Sequence, residues 1–162
     1  MPEDNDIFVG IDPGKNGALA AIRGSEWPML VPFDDDGLSY VAAFRRLSIL
    51  RNTWASEIPV YVMVEKVWAM PHEGVSSAFS FGMNFGLICG IAKSLGFDVE
   101  YATPQQWQKH FGISGDKQEH IAKAKEMFPS ANLKRTPRCK KDHDGFADAI
   151  LIAEYLRSVK CR

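Results

Sequence analysis

The sequence predicts an α/β domain in which helices cover a mixed β-sheet. Short apolar runs separated by tight turns open the chain and indicate antiparallel strands. Segments with helical spacing of apolar residues then alternate with further strand-like runs. With 162 residues, 46% hydrophobic and 24% charged, we expect one soluble globular domain over residues 1–162.

The first part of the chain reads as three strands, a helix and a fourth strand. Glycine-rich turns separate the three strands, which favours an antiparallel meander. Apolar residues at helical spacing, with arginines between them, indicate the helix. The predicted elements are strands at Ile7–Asp12, Ala18–Ile22 and Pro28–Phe33, a helix from Leu38 to about Ala55, and a strand from Pro59 to Glu65.

The next helix, from about Gly74 to Leu95, is apolar on most of its circumference. Such a helix is expected to be buried on more than one side. Gly82, Gly86 and Gly90 recur every four residues and allow another backbone to approach closely. A membrane span is disfavoured because the polar residues Ser80, Asn84 and Lys93 interrupt the run. We expect one face to pack on the sheet and the other to contact a second subunit.

The remaining segments complete the layers. They are a strand near Val99–Tyr101, a short helix near Pro104–His110, an amphipathic helix from about Lys117 to Phe128, and a final helix from about Asp144 to Val159.

The charge balance limits the class of partner. A formal net charge of -1 excludes a globally basic protein, so any contact with nucleic acid must come from a local patch. The stretch 134–141, which ends in Lys140 and Lys141, is such a patch. It directly precedes the acids between Asp142 and Asp148, which favours phosphate binding over a solvated polar loop.

The cysteines and the N-terminus indicate the compartment. Cys89, Cys139 and Cys161 are widely spaced, which argues against a disulfide framework or a zinc module and fits a reducing compartment. Residues 1–6 are acidic and lack the basic and apolar regions of a signal peptide. The sequence therefore predicts a cytoplasmic protein, or one of the host cytoplasm if the protein is viral.

Carboxylates stand at the edges of predicted core elements. Asp12 ends the first strand, Glu65 ends the fourth, and Asp148 lies within the apolar segment of the final helix. Asp144, four residues before Asp148, lies on the same helical face. A charge in such a place is costly unless a function or partner holds it. If the two strands are neighbours, their carboxylates face a common crevice.

Clustered carboxylates predict a metal site. They repel one another unless cations lie between them, and they are the ligands that Mg²⁺ or Mn²⁺ prefers. Two such ions about 4 Å apart suit in-line attack on a phosphodiester. The inferred reaction is phosphodiester hydrolysis.

Each acid also has a purely structural alternative. Asp12 could start a turn, Glu65 could pair with Lys66 or Lys109, and Asp144 could cap the last helix. Asp148 resists such an explanation because its sequence neighbours are apolar.

Three motifs together resemble the RuvC family of Holliday-junction resolvases. They are Gly10-Ile11-Asp12-Pro13-Gly14, then Val64-Glu65 followed by Val67-Trp68, then Ala147-Asp148-Ala149 in the C-terminal helix. The long Gly/Ser/Phe helix, the segment Thr103–Trp107 and Gly115-Asp116-Lys117 support the resemblance, which spans nearly the whole chain.

The resemblance implies a ribonuclease-H-like three-layer fold, with a mixed five-stranded sheet and helices on both faces. It also implies a homodimer that makes paired, Mg²⁺-dependent nicks in a four-way DNA junction, with no nucleotide cofactor and no membrane. Asp12, Glu65 and Asp148 match three metal-binding acids of the family. Lys117 matches a lysine that approaches the scissile phosphate, and Lys109 is a looser match to another.

Two positions need separate mention. Trp68 falls where the family places an aromatic residue that stacks at the opened junction centre, although a core position is its structural alternative. The family commonly places its fourth ligand, Asp or His, three residues before the last aspartate, where this chain has Gly145. Asp144 is our substitute, with His143 and Asp142 as alternatives.

Other functions compete with a strict resolvase. Actin-like kinases and ATPases also begin with an Asp-containing strand and a Gly-rich turn, but they need a second lobe around the nucleotide. A nuclease that also cuts flaps, forks and three-way branches would carry the same ligands. A non-catalytic junction-binding relative would be expected to lack some of the acids.

Overall fold

The computed structural model describes residues 5–25, 28–52, 58–66 and 74–161. The strands are β1 (Ile7–Asp12), β2 (Ala18–Arg23), β3 (Met29–Pro32), β4 (Val60–Glu65) and β5 (Val99–Ala102). The helices are α1 (Leu38–Arg51), α2 (Val75–Ser94), α3 (Pro104–Phe111), α4 (Lys117–Met127) and α5 (Asp144–Lys160). Element types and order agree with the predictions, and the bounds differ by a few residues.

The five strands form one mixed sheet in the order β3-β2-β1-β4-β5. β1 pairs antiparallel with β2, which pairs antiparallel with β3, so the predicted meander is confirmed. On its other side β1 pairs in parallel with β4, and β4 with β5. β1 is therefore the central strand, and the strand that ends in Glu65 lies beside it as the site prediction requires.

Helices cover both faces of the sheet because successive strand residues point to opposite sides. Ile7, Val9 and Ile11 of β1 pack in a core with α1 and α2. Phe8 packs in a second core with α3, α4 and α5. The predicted three-layer, ribonuclease-H-like arrangement is confirmed.

α5 lies directly against β1 at Gly10. A Cβ atom at this position would lie 2.2 Å from the backbone nitrogen of Ala153 and 2.3 Å from the carbonyl oxygen of Ala149. Only glycine allows the two backbones to approach this closely. The contact sets the height of α5 over the central strand, and thus of the acids that α5 carries.

The starts of α4 and α5 are held by side-chain caps. Asp116 Oδ1 accepts a hydrogen bond from the backbone N–H of Gln118 (2.7 Å) and so caps α4. His143 caps α5, since its Nδ1 accepts from the N–H of Phe146 at 3.2 Å. The alternative in which Asp144 caps this helix is wrong, because Asp144 is the first helical residue.

α2 is less buried than its sequence suggests. Its buried residues lie in the C-terminal half, at Ile88, Cys89, Ile91 and Ala92. Its exposed apolar residues are Val75 (87% exposed), Phe79 (68%), Met83 (59%) and Leu87 (38%). One face of the helix therefore packs on the sheet layer as expected, and the predicted contact of the other face with a second subunit stays a prediction.

α2 is also long and apolar enough to cross a membrane by length and composition, although core helices of soluble proteins meet the same criteria. Three polar residues do not lower its hydropathy as far as the sequence argument assumed. The prediction of no membrane contact stays a prediction.

Candidate active site

Asp12 and Glu65 lie next to each other at one edge of the sheet. Ile11 pairs with Val64 in the parallel ladder. Asp12 and Glu65, the next residues, therefore lie side by side at the ends of neighbouring strands. Asp12 has the same strand parity as Phe8, and Glu65 the same parity as Met63, so both carboxylates belong to the face that α5 covers. The sheet register alone brings these two acids together.

Asp12 also organises the turn after β1. Its Oδ1 accepts a hydrogen bond from the backbone N–H of Gly14 at 3.0 Å. The turn-forming role that the sequence left open is therefore present. This bond uses one oxygen and leaves Oδ2 of Asp12 for other partners.

α5 adds Asp148 and Asp144 above this edge. Asp148 is 3% exposed, in the most buried part of the helix. The side chain of Asp144 is 44% exposed and lies four residues earlier on the same face. The rim of the site thus carries one acid in contact with solvent and one acid enclosed by the core.

Lys117, at the start of α4, is the cation of the cluster. Its Nζ lies 2.5 Å from Asp148 Oδ2 and 3.9 Å from Asp144 Oδ2. Burial lowers the pKa of Lys117, but attraction to Asp148, Asp12 and Asp144 outweighs it and leaves that pKa above its ordinary value. The ammonium group is therefore held in its charged form among the carboxylates.

The two acids at the sheet edge, Asp12 and Glu65, have raised pKa values. Burial, with repulsion from Asp148, raises the pKa of Asp12 to about 6, against the opposing effects of the Gly14 N–H and Lys117. Burial, with repulsion from Asp12, raises the pKa of Glu65 to about 7. One lysine does not compensate the negative charge of this cluster. The site favours additional positive charge when both acids are ionised.

The donor chemistry of this site fits a divalent cation. Carboxylate oxygens from β1, β4 and α5 are hard ligands. Burial first, and then repulsion from neighbouring carboxylates, raises the pKa of Asp12 and of Glu65, so a cation at the site would favour their ionised forms. Within the described ranges, however, no three His, Cys, Asp or Glu side chains are close enough to hold a metal ion as they stand. Asp148, one of these side chains, is engaged in an ion pair with Lys117. Asp12, Glu65 and Asp148, with Asp144, are the residues that would hold the metal.

The structure distinguishes the three candidates for the fourth ligand. Asp142 is paired with Lys125 (2.5 Å), and His143 is engaged in capping α5. Asp144 lies next to Lys117 and raises the pKa of Asp12, so it belongs to the cluster. At Gly145 a Cβ atom would lie 2.2 Å from the carbonyl oxygen of Asn16. A ligand side chain at residue 145 would require the turn after β1 to move.

Sequence reasoning missed two residues that touch the acids. Trp107 of α3 donates its Nε1–H to Glu65 Oε1 at 2.9 Å, and both side chains are buried. His120 of α4, 1% exposed, places Nδ1 2.6 Å from Asp148 Oδ1 and Nε2 2.7 Å from the carbonyl oxygen of Ser114. Burial lowers the pKa of His120, but its hydrogen bonds to Asp148 and Ser114 leave that pKa raised.

A signal for His120 was present in the sequence. It is a polar residue on the buried face of an amphipathic helix, four residues before Ala124. No sequence pattern indicates a polar partner for Trp107, because that partner lies 42 residues earlier in the chain.

Apart from Lys117, the predicted basic residues that the structure describes lie outside the cluster. Lys140 and Lys141 line an open groove of about 410 Å³ together with Arg135, and Asp144 is also among its lining residues. Lys109 is exposed on the last turn of α3, and the structure shows no contact between it and the acids. Trp68 lies outside the described residues.

Fold and site together define a ribonuclease-H-like domain with a carboxylate cluster at the end of its central strands. Solved structures that share this fold include two of RuvC. One is RuvC of T. thermophilus in complex with a Holliday junction substrate, with a TM-score of 0.59 and 18% identity, covering 95% of this chain and 96% of that chain. The other is Thermus thermophilus RuvC, with a TM-score of 0.56 and 20% identity over the same shares. No protein-family model and no curated protein sequence matches the chain. The chain therefore has the RuvC fold that its motifs predicted.

Proposed function

We propose that this protein is a divalent-metal-dependent endonuclease that resolves four-way DNA junctions by paired phosphodiester hydrolysis. The observation that carries the proposal is the convergence of Asp12, Glu65 and Asp148, with Lys117 among them, on the edge of a RuvC-like sheet. A carboxylate cluster with uncompensated charge suits metal-assisted attack on a phosphate.

Each residue has a distinct part in this proposal. Asp12, Glu65, Asp148 and Asp144 hold Mg²⁺, or Mn²⁺ in its place, with two ions in each site. The bound ions supply an activated water and charge stabilisation of the leaving oxygen. Lys117 pairs with Asp148 before binding and contacts a non-bridging phosphate oxygen when DNA is present. Its raised pKa keeps the ammonium charged for that contact.

The basic loop provides a path for the DNA backbone. Asp144 lines the same groove as Arg135, Lys140 and Lys141, so a DNA strand in this groove would lie against one of the proposed metal ligands. The overall charge is slightly negative, and local contacts of this kind have to supply the binding energy. Lys109 and Trp68 remain predicted DNA contacts on the basis of the resemblance alone.

Paired cleavage requires two sites, and the exposed face of α2 is the proposed homodimer interface. Phe79 and Met83 are exposed large apolar side chains on this helix. A Cβ atom at Gly82, Gly86 or Gly90 would meet nothing within 4 Å. Among the residues that the structure describes, these glycines therefore serve no close contact, and we propose that they make one with a second copy.

The experiment compares the wild type with Glu65→Gln on labelled four-way junction, three-way branch, flap and linear duplex, with and without Mg²⁺. Cuts are mapped on every strand. Glu100→Gln is the matched control, because Glu100 lies on the adjacent strand β5 and pairs with Lys160 at 2.6 Å, away from the cluster. We expect symmetric Mg²⁺-dependent nicks near the branch point, lost in Glu65→Gln and kept in Glu100→Gln.

The other outcomes each select an alternative. Equal cutting of flaps and three-way branches would make the protein a general branched-DNA nuclease. Tight junction binding without cleavage in Mg²⁺ or Mn²⁺ would make it a non-catalytic junction-binding protein. Cleavage that survives Glu65→Gln would remove the proposed site.

A further inference from the structure

Two acids of the site, Glu65 and Asp148, each contact a buried aromatic side chain. Trp107 is 1% exposed and donates its only polar hydrogen to Oε1 of Glu65. His120 is equally buried and places Nδ1 against Oδ1 of Asp148. Each contact takes up one of the two carboxylate oxygens.

The second nitrogen of His120 fixes the orientation of its ring. Nε2 lies 2.7 Å from the carbonyl oxygen of Ser114, and because a carbonyl only accepts, Nε2 donates. The ring is thus held at both ends, by the loop before α4 and by Asp148. This geometry commits Oδ1 of Asp148 to the ring and leaves Oδ2 toward Lys117.

The two aromatic side chains also contact each other. The Trp107 and His120 rings pack edge to face, with centroids 5.0 Å apart and planes at 69°. α3 and α4 therefore act as one unit on two acids that come from β4 and α5. Moving either ring would move the other, and with it the oxygen that its partner presents.

We propose that Trp107 and His120 are positioning residues that orient Glu65 and Asp148, so that Oε2 of Glu65 and Oδ2 of Asp148 face the divalent cation. The inference rests on the proposed metal-dependent function and names the groups that shape its metal site. Both side chains are 1% exposed, so they would act through the two acids rather than by contacting DNA directly. Outer partners of this kind typically change metal affinity or activity by about 10- to 100-fold when they are removed.

The test measures Mn²⁺ binding to the metal-free protein by calorimetry and by Mn²⁺ electron paramagnetic resonance, without DNA. Trp107→Phe keeps the packing and removes the N–H donor. His120→Leu removes both ring nitrogens, while His120→Asn retains an amide nitrogen near the position of Nδ1. We expect about 10- to 100-fold weaker Mn²⁺ binding in Trp107→Phe and His120→Leu, and partial recovery in His120→Asn.

Two controls separate this inference from the proposed function. His110→Asn changes a histidine of α3 whose ring contacts Phe111 and Tyr155 and none of the acids, and it should bind Mn²⁺ like the wild type. Asp12→Asn removes a proposed ligand and should abolish binding. Circular dichroism confirms that each variant is folded before titration.

The outcomes are distinguishable. Mn²⁺ binding lost in Asp12→Asn but unchanged in Trp107→Phe and His120→Leu would overturn the positioning role and leave the metal site in place. A wild type that binds no Mn²⁺ would overturn both proposals. Weaker binding in His120→Asn than in His120→Leu would overturn the role of the Nδ1 contact.

Discussion

The negative charge of ionised Asp12 lowers the stability of the folded protein. It lies at the end of the central strand, where burial and Asp148 raise its pKa to about 6. A folded-state pKa above the ordinary value means that ionisation of Asp12 costs folding free energy. Protonated Asp12 therefore favours the folded state. This stabilisation is complete below about pH 4 and is lost as the pH rises through about 6. Functional sites commonly carry such a cost.

We predict that Asp12→Asn stabilises the metal-free protein at pH 8, because an amide carries no charge to bury. The increase in the free energy of unfolding should be about 1–3 kcal/mol at pH 8 and should nearly vanish at pH 4. Urea denaturation in EDTA at both pH values measures it. A gain of equal size at both would contradict the electrostatic explanation. Excess Mg²⁺ should stabilise the wild type more than the variant.

The sequence was sufficient to find the acids but not their partners. Asp12, Glu65 and Asp148 stand out because a charge within or beside an apolar run needs a reason. Trp107 is indistinguishable from a core residue in the sequence. His120 stands out as a polar residue on the buried face of α4, but its partner is evident only when tertiary structure brings α4 against Asp148. For Asp144, the choice over His143 and Asp142 needed the observed cap and the ion pair with Lys125.

Among the elements, α5 and β1 form the contact on which the site depends. The glycine of β1 allows the helix backbone to lie directly on the strand. A methyl group there would meet backbone atoms, which cannot rotate away as a side chain can. Any substitution must therefore move the whole helix.

We predict that Gly10→Ala destabilises the protein by about 1–3 kcal/mol or more, the usual cost of overpacking a core. It should also lower nuclease activity, because Asp148 moves with α5. The control is Gly115→Ala, where a Cβ atom meets nothing within 4 Å. Urea unfolding midpoints for the two variants measure the difference, and an unchanged midpoint in Gly10→Ala would contradict the close packing.

α2 yields a prediction about assembly. Met83→Asp places a charge on the exposed apolar face and should raise the dimer dissociation constant about thirtyfold or more, equivalent to about 2 kcal/mol. Ile49→Asp on α1 is the matched control, since Ile49 is 69% exposed and lies on another helix. Light scattering across a concentration series measures both. A dimer that resists Met83→Asp would exclude this face.

The sequence identified α2 as a helix but not how much of it the chain covers. Apolar residues around the whole circumference predict burial, yet they do not say whether the cover comes from the same chain. The strands were easier to predict, because short apolar runs ending in Gly or Pro turns have few alternatives. The pairing of β1 with β4 followed only from the resemblance and from the need to join two acids.

At the scale of the whole molecule, binding should depend on local positive charge. We predict that replacing Lys140 and Lys141 together by Ala weakens junction binding. The negative slope of log affinity against log salt should become shallower by about 1–2. Lys93→Ala with Lys160→Ala is the charge-matched control, because Lys160 lies at the other end of α5 from Asp144. Titrations at several salt concentrations measure the slopes. An unchanged slope in the loop variant would remove the loop from the interface.

The position of α5 along the chain has a consequence for when the protein becomes active. The central strand is synthesised first, but the helix that covers it and supplies Asp148 begins only at Asp144. A ribosome-bound or prematurely terminated chain without α5 therefore lacks the helix that covers one face of the sheet, and with it Asp148. Such a product leaves the apolar sheet surface that α5 covers exposed, and the proposed metal site is incomplete until α5 has been made.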